Sequence, residues 1–428
     1  MSQPLRLGIA GLGTVGIGVV RIVRQHKAML EARTGRDIVI SAVSARDATK
    51  DRGVSLSAYA WEDDTVTLAT RDDVDIFVEL IGGDSGPAKD AVEAALAAGK
   101  NVVTANKALL AIHGQALAEA AEAQGRALRY EAAVAGGIPV IKALTEGLAG
   151  NDVTRVMGVM NGSCNYILTR MEDAGLSYDA VFAEADALGY LEADPQLDVG
   201  GIDAAHKLAI LSSIAFGTRV DFDGITLEGI ERVSIDDIRA AADMGYKIKL
   251  LGVAQMTGRG LEQRMQPCLV PATSPLGQLD RGTNMVVLEG DAVGQIVLRG
   301  PGAGEGPTAS AVMADICDLA RGASGPVFGV PAVSLATAIP ASSKLPAAYY
   351  LRMSLDDKPG ALAKIAAVLG EAGVSIDRMR QYGHEDTSAP VLIVTHKTTP
   401  DAIAQALGAM GDTGVLSGDP VALRIEDV

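Results

Sequence analysis

The stretch Leu5-Arg6-Leu7-Gly8-Ile9-Ala10-Gly11-Leu12-Gly13-Thr14-Val15-Gly16 decides the fold of the first part of the chain. Leu5 to Ala10 reads as a short buried strand that runs directly into a G-x-G-x-x-G turn, and Ile17 to Val23 then places apolar residues at helical spacing. Strand, glycine turn and helix in this order form a phosphate cradle. Gly11 permits the tight turn, Gly13 lets the backbone approach a pyrophosphate, and Gly16 allows the helix to pack closely on the strand. The helix N-terminus adds unpaired N–H groups and a partial positive charge. Leu12, Thr14 and Val15 are the remaining members of the cradle.

Strand and helix signals keep alternating beyond the cradle. A strand over Ile38 to Val43 ends at Ser44-Ala45-Arg46-Asp47, with Lys50 and Arg52 just beyond. An acidic residue at that tip would take the ribose 2′-hydroxyl of NAD, whereas Arg receives the 2′-phosphate of NADP. Ser44 and Arg46 favour NADP, and Asp47 leaves NAD open. Val74 to Leu80 is a strand ending in Ile81-Gly82-Gly83, Ala88 to Ala98 a helix, and Asn101 to Thr104 a strand ending in Ala105-Asn106-Lys107. Ligands of such sheets lie at the carboxyl ends of the strands, so Gly82, Thr104 and Lys107 should face the crevice of the glycine turn. The expected class is α/β, with a Rossmann-type dinucleotide-binding domain over residues 1–130.

A chain of 428 residues implies two or three domains. Aromatic residues are only 4%, so Ala, Val, Ile and Leu must fill the cores. The formal net charge of -16 opposes non-specific attraction to nucleic acid or anionic membrane. Cys164, Cys268 and Cys317 suggest neither a disulfide framework nor a zinc site, which suits a reducing, cytoplasmic setting. The apolar stretch Ala132 to Ile141 is broken by Gly136, Gly137 and Pro139 and falls short of the ~20 residues of a membrane span. The N-terminus enters a strand without a charged and then apolar leader, so no targeting segment is expected.

Leu188-Gly189-Tyr190-Leu191-Glu192-Ala193-Asp194-Pro195-Gln196-Leu197-Asp198-Val199-Gly200-Gly201-Ile202-Asp203-Ala204-Ala205-His206-Lys207 carries the chemistry. A helix begins near Ile202, and Asp203 and Lys207 are four apart on one face of it. Alone, such a pair reads as a surface salt bridge. Leu208, Ala209, Ile210 and Leu211 make this helix largely apolar, and a buried Asp and Lys in such surroundings need a reason.

The run from Ala185 through Gly189, Asp194-Pro195, Asp198, Gly201 and Asp203 to Lys207 resembles the signature of the homoserine dehydrogenase family. Thr104-Ala105-Asn106-Lys107 resembles its nicotinamide-side lysine segment. Asn161-Gly162-Ser163-Cys164-Asn165-Tyr166-Ile167-Leu168 resembles its substrate loop, with Ser for the usual Thr. Gly300 to Val312, including Gly302, resembles its glycine-rich return segment. The resemblance covers residues from about 5 to 325. It implies reversible NAD(P)H-dependent reduction of aspartate 4-semialdehyde to homoserine, a step toward threonine, methionine and isoleucine, in a homodimer or homotetramer.

Such a reduction needs a hydride from nicotinamide and a proton for the developing alkoxide. The resemblance puts Lys207 in the proton-donating role, with Lys107 near the carbonyl and Asp203 positioning lysine or water. The division of roles between the lysines stays open. Glu192 and Asp198 would hold the polar ends of the substrate, with Asn161, Gly162 and Ser163 beside them. The family also carries a monovalent cation, usually sodium, at a loop matching Glu131, Val134, Gly136 and Ile138. Cys164 in a substrate loop could suggest an acyl-transfer nucleophile; the bland alternative is a small buried residue. Another NAD(P) dehydrogenase, such as a 3-phosphoglycerate or prephenate dehydrogenase, would lack the 194–207 run, and none of the five histidines is a persuasive catalytic one. A silent sensor of dinucleotide and amino acid would bind both without turnover. On this reading residues 131–325 form an α+β substrate-binding, catalytic and dimerisation domain, whose segment from about 300 to 325 completes the first domain.

Pro326, Pro331, Pro340 and Pro346 mark residues 326–347 as a linker. Residues 348–428 then read β-α-β-β-α-β: Tyr350 to Leu355, Ala361 to Ala372, Val374 to Met379, Pro390 to His396, a helix capped by Thr399-Pro400, and Val421 to Ile425. The DKPGALAKI and GVSID elements resemble an ACT domain, a ferredoxin-like module that binds amino acids. The resemblance implies an effector, threonine by pathway logic, near Gly360, Ala361, Val374 and Ser375. A degenerate module kept for oligomerisation is the alternative.

Overall fold

Six parallel strands carry the first domain in the computed structural model, which describes residues 3–191, 194–342, 344–381 and 388–428. They are β1 (Leu5–Ala10), β2 (Ile38–Ser44), β3 (Ala60–Trp61), β4 (Ile76–Glu79), β5 (Asn101–Thr104) and β6 (Leu128–Arg129), in the order β3-β2-β1-β4-β5-β6. Helices α1 (Thr14–Gln25), α2 (Lys27–Thr34), α3 (Thr65–Thr70), α4 (Pro87–Ala97) and α5 (Lys107–Ala123) join them. Helices cover both faces, so Leu7, Ile9, Phe77 and Val78 lose all contact with solvent, as central parallel strands require. The strand order reverses between β1 and β4. A crevice opens there at the strand ends that carry Gly11 and Gly82.

The chain then forms α6 (Val140–Lys142), β7 (Val153–Val159), α7 (Gly162–Ala174), α8 (Tyr178–Ala187), α9 (Pro195–Val199), α10 (Ile202–Phe216), β8 (Thr226–Leu227) and α11 (Ile235–Asp243). Long strands β9 (Tyr246–Thr257), β10 (Gly260–Pro271), β11 (Thr283–Gly290) and β12 (Gly294–Pro301) follow, and α12 (Glu305–Ala320) returns to the first domain. A Cβ at Gly18 of α1 would stand 2.8 Å from the Cβ of Ala309 in α12, so glycine lets these helices touch. No helix among the described residues is long and apolar enough to cross a membrane.

The last unit comprises β13 (Ala348–Asp356), α13 (Ala361–Glu371), β14 (Ile376–Gln381), β15 (Ser388–Thr395), α14 (Pro400–Gly411) and β16 (Val421–Ile425), ordered β16-β13-β15-β14. This is the expected βαββαβ arrangement. Its sheet is not separate, however. β16 pairs in parallel with β10 through Cys268↔Arg424 and Leu269↔Ile425, and the two sheets become one, ordered β12-β11-β7-β9-β10-β16-β13-β15-β14. A buried charge network fastens the seam. Glu426 accepts from Arg155 (2.8 Å), Arg424 (2.5 Å) and Arg264, and Arg264 also pairs with Glu262 at 2.7 Å.

The proline-rich segment 326–347 is docked on the core rather than strung between domains. Phe328, Ala332 and Leu335 are buried, the Tyr130 hydroxyl donates to the Val327 carbonyl, and Ala336 and Pro340 bridge in parallel to Thr218 and Leu261. Prolines removed its own ladder bonds but left it able to lie extended along its neighbours.

Candidate active site

The glycine turn behaves as its sequence dictates. Gly11 has φ +96, and a Cβ there would collide with the Leu80 carbonyl; one at Gly16 would collide with the Gly11 carbonyl. Gly13 differs, because among the described residues nothing lies within 4 Å of where its Cβ would be. That open cradle, bordered by Leu12 and by Thr14 and Val15 in the first turn of α1, fits a pyrophosphate. At the tip of β2 the Ser44 hydroxyl is buried without a partner among the described residues, while Arg46 is exposed. Arg52 bonds the carbonyls of Leu12 (3.2 Å), Lys50 (2.8 Å) and Asp47 (2.6 Å), fixing a cation beside the cradle.

Glu79, the buried last residue of β4, was not singled out by the sequence. Its carboxylate accepts the N–H groups of Ile81 (2.7 Å) and Gly82 (3.0 Å) and the Thr104 hydroxyl (2.5 Å). It therefore shapes the Gly82 turn, where φ is +88. Asn106 caps α5 through the Leu109 N–H at 3.1 Å and donates to the Gly83 carbonyl at 2.6 Å. Lys107, the first residue of α5, is thereby aimed from the crevice wall, with its side chain 31% exposed.

Asp203 and Lys207 lie on the inner face of α10. The carboxylate sits between two ammonium groups: Lys207 Nζ is 2.7 Å from Oδ2 and Lys107 Nζ is 3.0 Å from Oδ1. Burial pushes the Asp203 carboxyl up, but Lys207 and Lys107 outweigh it and hold the group well below the usual carboxylate range. Lys207 also donates to the Met160 carbonyl at 2.8 Å. An ammonium has three N–H bonds, so one remains for a substrate oxygen.

Asn161 ties the cluster together. Its Nδ2 donates to Asp198 (2.7 Å) and to Asp203 (3.0 Å), and its Oδ1 caps α7 by accepting the Cys164 N–H at 2.8 Å. Its amide thus positions two carboxylates rather than reaching outward. Ser163 donates to the Tyr190 carbonyl at 2.6 Å, and a Cβ at Gly162 would stand 2.8 Å from the Gly282 carbonyl. Asp198 is buried beside Asn161. Glu192 lies outside the described residues.

Cys164 is fully buried, and its thiol donates to the Asp198 carbonyl at 3.2 Å. Burial, with Asp198 and Asp203 adding, pushes the thiol well above its ordinary value. A neutral thiol committed to a carbonyl is poorly suited to nucleophilic attack.

The 131–138 turn, buried except at Gly137, passes through Ala135 (φ 55) and Gly136 (φ 53), and at Gly136 a Cβ would collide with the Gly302 carbonyl. Gly302 itself is crowded by the side chain of Asn284. The Glu131 carboxylate accepts the N–H groups of Ile141 and Lys142, both at 2.9 Å, and burial, with Asp315 adding, pushes it up to about 7. Among the main-chain oxygens of this turn, that of Glu131 accepts the Val134 N–H at 3.5 Å and that of Ile138 the Val140 N–H at 2.8 Å; neutral oxygens of this kind are the hard donors that suit a cation of low charge. Among the described residues no cluster of His, Cys, Asp or Glu offers a transition-metal site.

In the last unit Gly360 (φ +87) starts α13, with Ala361 and Val374 buried and Ser375 exposed in the paired turn.

Residues 139–317 match the family model for homoserine dehydrogenase, and residues 11–131 match that for the homoserine dehydrogenase NAD-binding domain. The chain belongs to the homoserine dehydrogenase family. Residues 349–412 match the ACT domain. The homoserine dehydrogenase of Neisseria gonorrhoeae is 42% identical over 435 residues, covering 100% of this chain and 99% of its own length. A homoserine dehydrogenase structure from Thiobacillus denitrificans superposes with TM-score 0.94 at 39% identity, covering 100% of this chain and 99% of that one. A hyperthermophilic archaeal homoserine dehydrogenase solved with NADPH superposes with TM-score 0.65 at 25% identity, covering 76% and 100%. As a homoserine dehydrogenase the chain is an oxidoreductase with a nicotinamide-cofactor domain, a catalytic domain and a C-terminal ACT domain.

Proposed function

We propose that the protein reversibly reduces L-aspartate 4-semialdehyde to L-homoserine with NADPH as its favoured reductant and NADH as the alternative. The observation that carries this reading is the Asp203 carboxylate held between Lys107 and Lys207 at the dinucleotide crevice. When bound, the nicotinamide supplies a hydride to the aldehyde carbon. Lys207 Nζ, oriented by Asp203 and the Met160 carbonyl, gives its proton to the oxygen that becomes the hydroxyl. Lys107 Nζ stabilises negative charge on the same oxygen. Asp198, with Glu192, pairs with the substrate's α-ammonium, and Gly162 and Ser163 line its approach.

The exposed Arg46 and the fixed Arg52 beside the cradle support a 2′-phosphate, as does the NADPH bound by the archaeal relative. The Glu131, Val134, Gly136 and Ile138 carbonyls would hold Na+. We assign threonine feedback to the ACT unit, and a homodimer or homotetramer working in the cytoplasm toward threonine, methionine and isoleucine.

The test follows NADPH oxidation with aspartate 4-semialdehyde for the wild type and Lys207→Ala. Turnover should fall by at least about a hundredfold in the variant, the scale of a lost general acid. An equally active variant would move the proton chemistry to Lys107 or water. A wild type that binds NADPH without oxidising it would sink the reaction itself.

A further inference from the structure

A cavity of about 650 Å³ separates the outer face of the ACT sheet from α11 of the catalytic domain. Arg352 and Ser354 alternate onto that face from β13, and Leu392 stands opposite Arg352 on β15. Asp236, Arg239 and Asp243 project from one face of α11, at the i, i+3 and i+7 spacing that lines up along a helix. Neither unit makes this space alone.

Arg352 is pre-set. Asp237, fully buried and also capping α11 with Ser234, takes its Nε and Nη2, and Nη1 has no partner among the described residues. Asp236 and Arg239 form only a loose pair at 3.7 Å, with side chains 72% and 63% exposed. Asp243 is paired with Arg380. The described lining carries two aspartates (236, 243) and two arginines (239, 352), so both signs are present in equal number. A phosphate or dicarboxylate would find as much repulsion as attraction there. A zwitterion finds partners at both ends.

We propose that a small neutral α-amino acid binds in this cavity, its carboxylate on Arg352 Nη1, its ammonium toward Asp236 and Asp243, and its side chain over Leu392 beside the Ser354 hydroxyl. The proposal rests on reading the ACT unit as an amino-acid sensor, but it places the ligand away from the Gly360–Ala361 and Val374–Ser375 turns. The site bears on catalysis by position. α11 packs against α7, and α7 is capped by Asn161, which holds Asp198 and Asp203. A ligand bridging β13 and α11 therefore fixes the far side of the helix that orders the catalytic carboxylates.

Titration calorimetry on the full-length protein tests this with L-threonine, L-isoleucine and L-methionine as probes and inorganic phosphate as the anion control. Three variants are compared: Ser354→Trp fills the cavity, Asp236→Lys reverses the exposed charge that faces the ammonium, and Ser375→Trp blocks the turn site. The expected result is one amino acid bound per chain, weakened at least about tenfold by Ser354→Trp and by Asp236→Lys and unchanged by Ser375→Trp. If Ser354→Trp fails to fold, Asp236→Lys still decides. Weakening by Ser375→Trp alone keeps the sensor and overturns the cavity as its site. Phosphate binding more tightly than any amino acid also overturns it. No binding of any amino acid overturns both the site and the sensor reading.

Discussion

Replacing Asp203 by Asn removes one negative charge from between two ammonium groups and leaves the shape almost unchanged. The contact with Lys207 is 2.7 Å long between side chains 5% and 11% exposed, and breaking a buried pair on one side costs about 3–5 kcal/mol. The contact with Lys107 is longer, 3.0 Å, and that lysine is 31% exposed, so solvent screens its share. The expected loss is therefore about 3 kcal/mol, at the lower end of the range. A double-mutant cycle should give larger coupling with Lys207→Met than with Lys107→Met. Lys207 and Lys107 hold the folded carboxyl below its unfolded value of about 3.9, against the upward push of burial. Its contribution is thus complete above about pH 3.9 and is lost only as pH falls through the folded value. Urea unfolding at pH 7 consequently reads the whole deficit. With aspartate 4-semialdehyde and NADPH, kcat/KM should fall at least about a hundredfold, about 2.7 kcal/mol of transition-state stabilisation. Activity within threefold of wild type, or stronger coupling to Lys107, would refute the arrangement as the organiser of the proton donor.

Gly13→Ala should leave urea stability within about 0.5 kcal/mol, because its Cβ enters open space, yet weaken NADPH binding at least about tenfold. Gly11→Ala, which meets the Leu80 carbonyl, should instead lose stability as well, and equal behaviour of the two would contradict the cradle. Arg46→Glu should raise the KM for NADPH at least about tenfold while leaving NADH nearly unchanged; no change with either would place the 2′-phosphate elsewhere. Lys249 is buried with its ammonium on Asn165 Oδ1 (2.9 Å) and the Leu279 carbonyl, and burial, with Lys247 adding, pushes it down to about 8. Its folded value lies below the unfolded value of about 10.4. The stability of wild type relative to Lys249→Met should rise between about pH 8 and 10.4, by at most about 1.4 kcal/mol per unit, and stay flat below. A flat difference across that window would mean that the lysine keeps its proton.

How much of this could be read from the chain depends on the distance over which each feature is written. Asp203 and Lys207 were legible because four residues on a helix fix a contact locally, and the G-x-G-x-x-G turn because its glycines answer to backbone geometry. Lys107 could be assigned to the crevice by the rule for parallel strands, but its contact with Asp203 is tertiary and has no local mark. Glu79 was missed because an acid at the end of an apolar strand looks like the start of a loop; only the neighbouring strand supplies Thr104. Asn161 read as a substrate contact, and the fold spends its amide on two carboxylates instead. The prolines of 326–347 read as an extended connection, yet they report neither the short 3-10 turn at Ala332–Ser334 nor what the segment lies against. Glu262 and Arg264 look like the solvent side of an alternating strand and are buried because β8, Leu345 of the docked segment and Glu426 beyond β16 all arrive beside them.

The arrival of β16 has a practical consequence for anyone wishing to remove the ACT unit. In many regulated proteins the sensing module can be cut away with scissors placed in a linker. Here the cut would strip β10 of its neighbour and leave Arg155 and Arg264 facing the place vacated by Glu426. A shortened chain would expose a raw sheet edge, an invitation to aggregate. The role of the ACT unit is better probed by single substitutions that leave the seam intact.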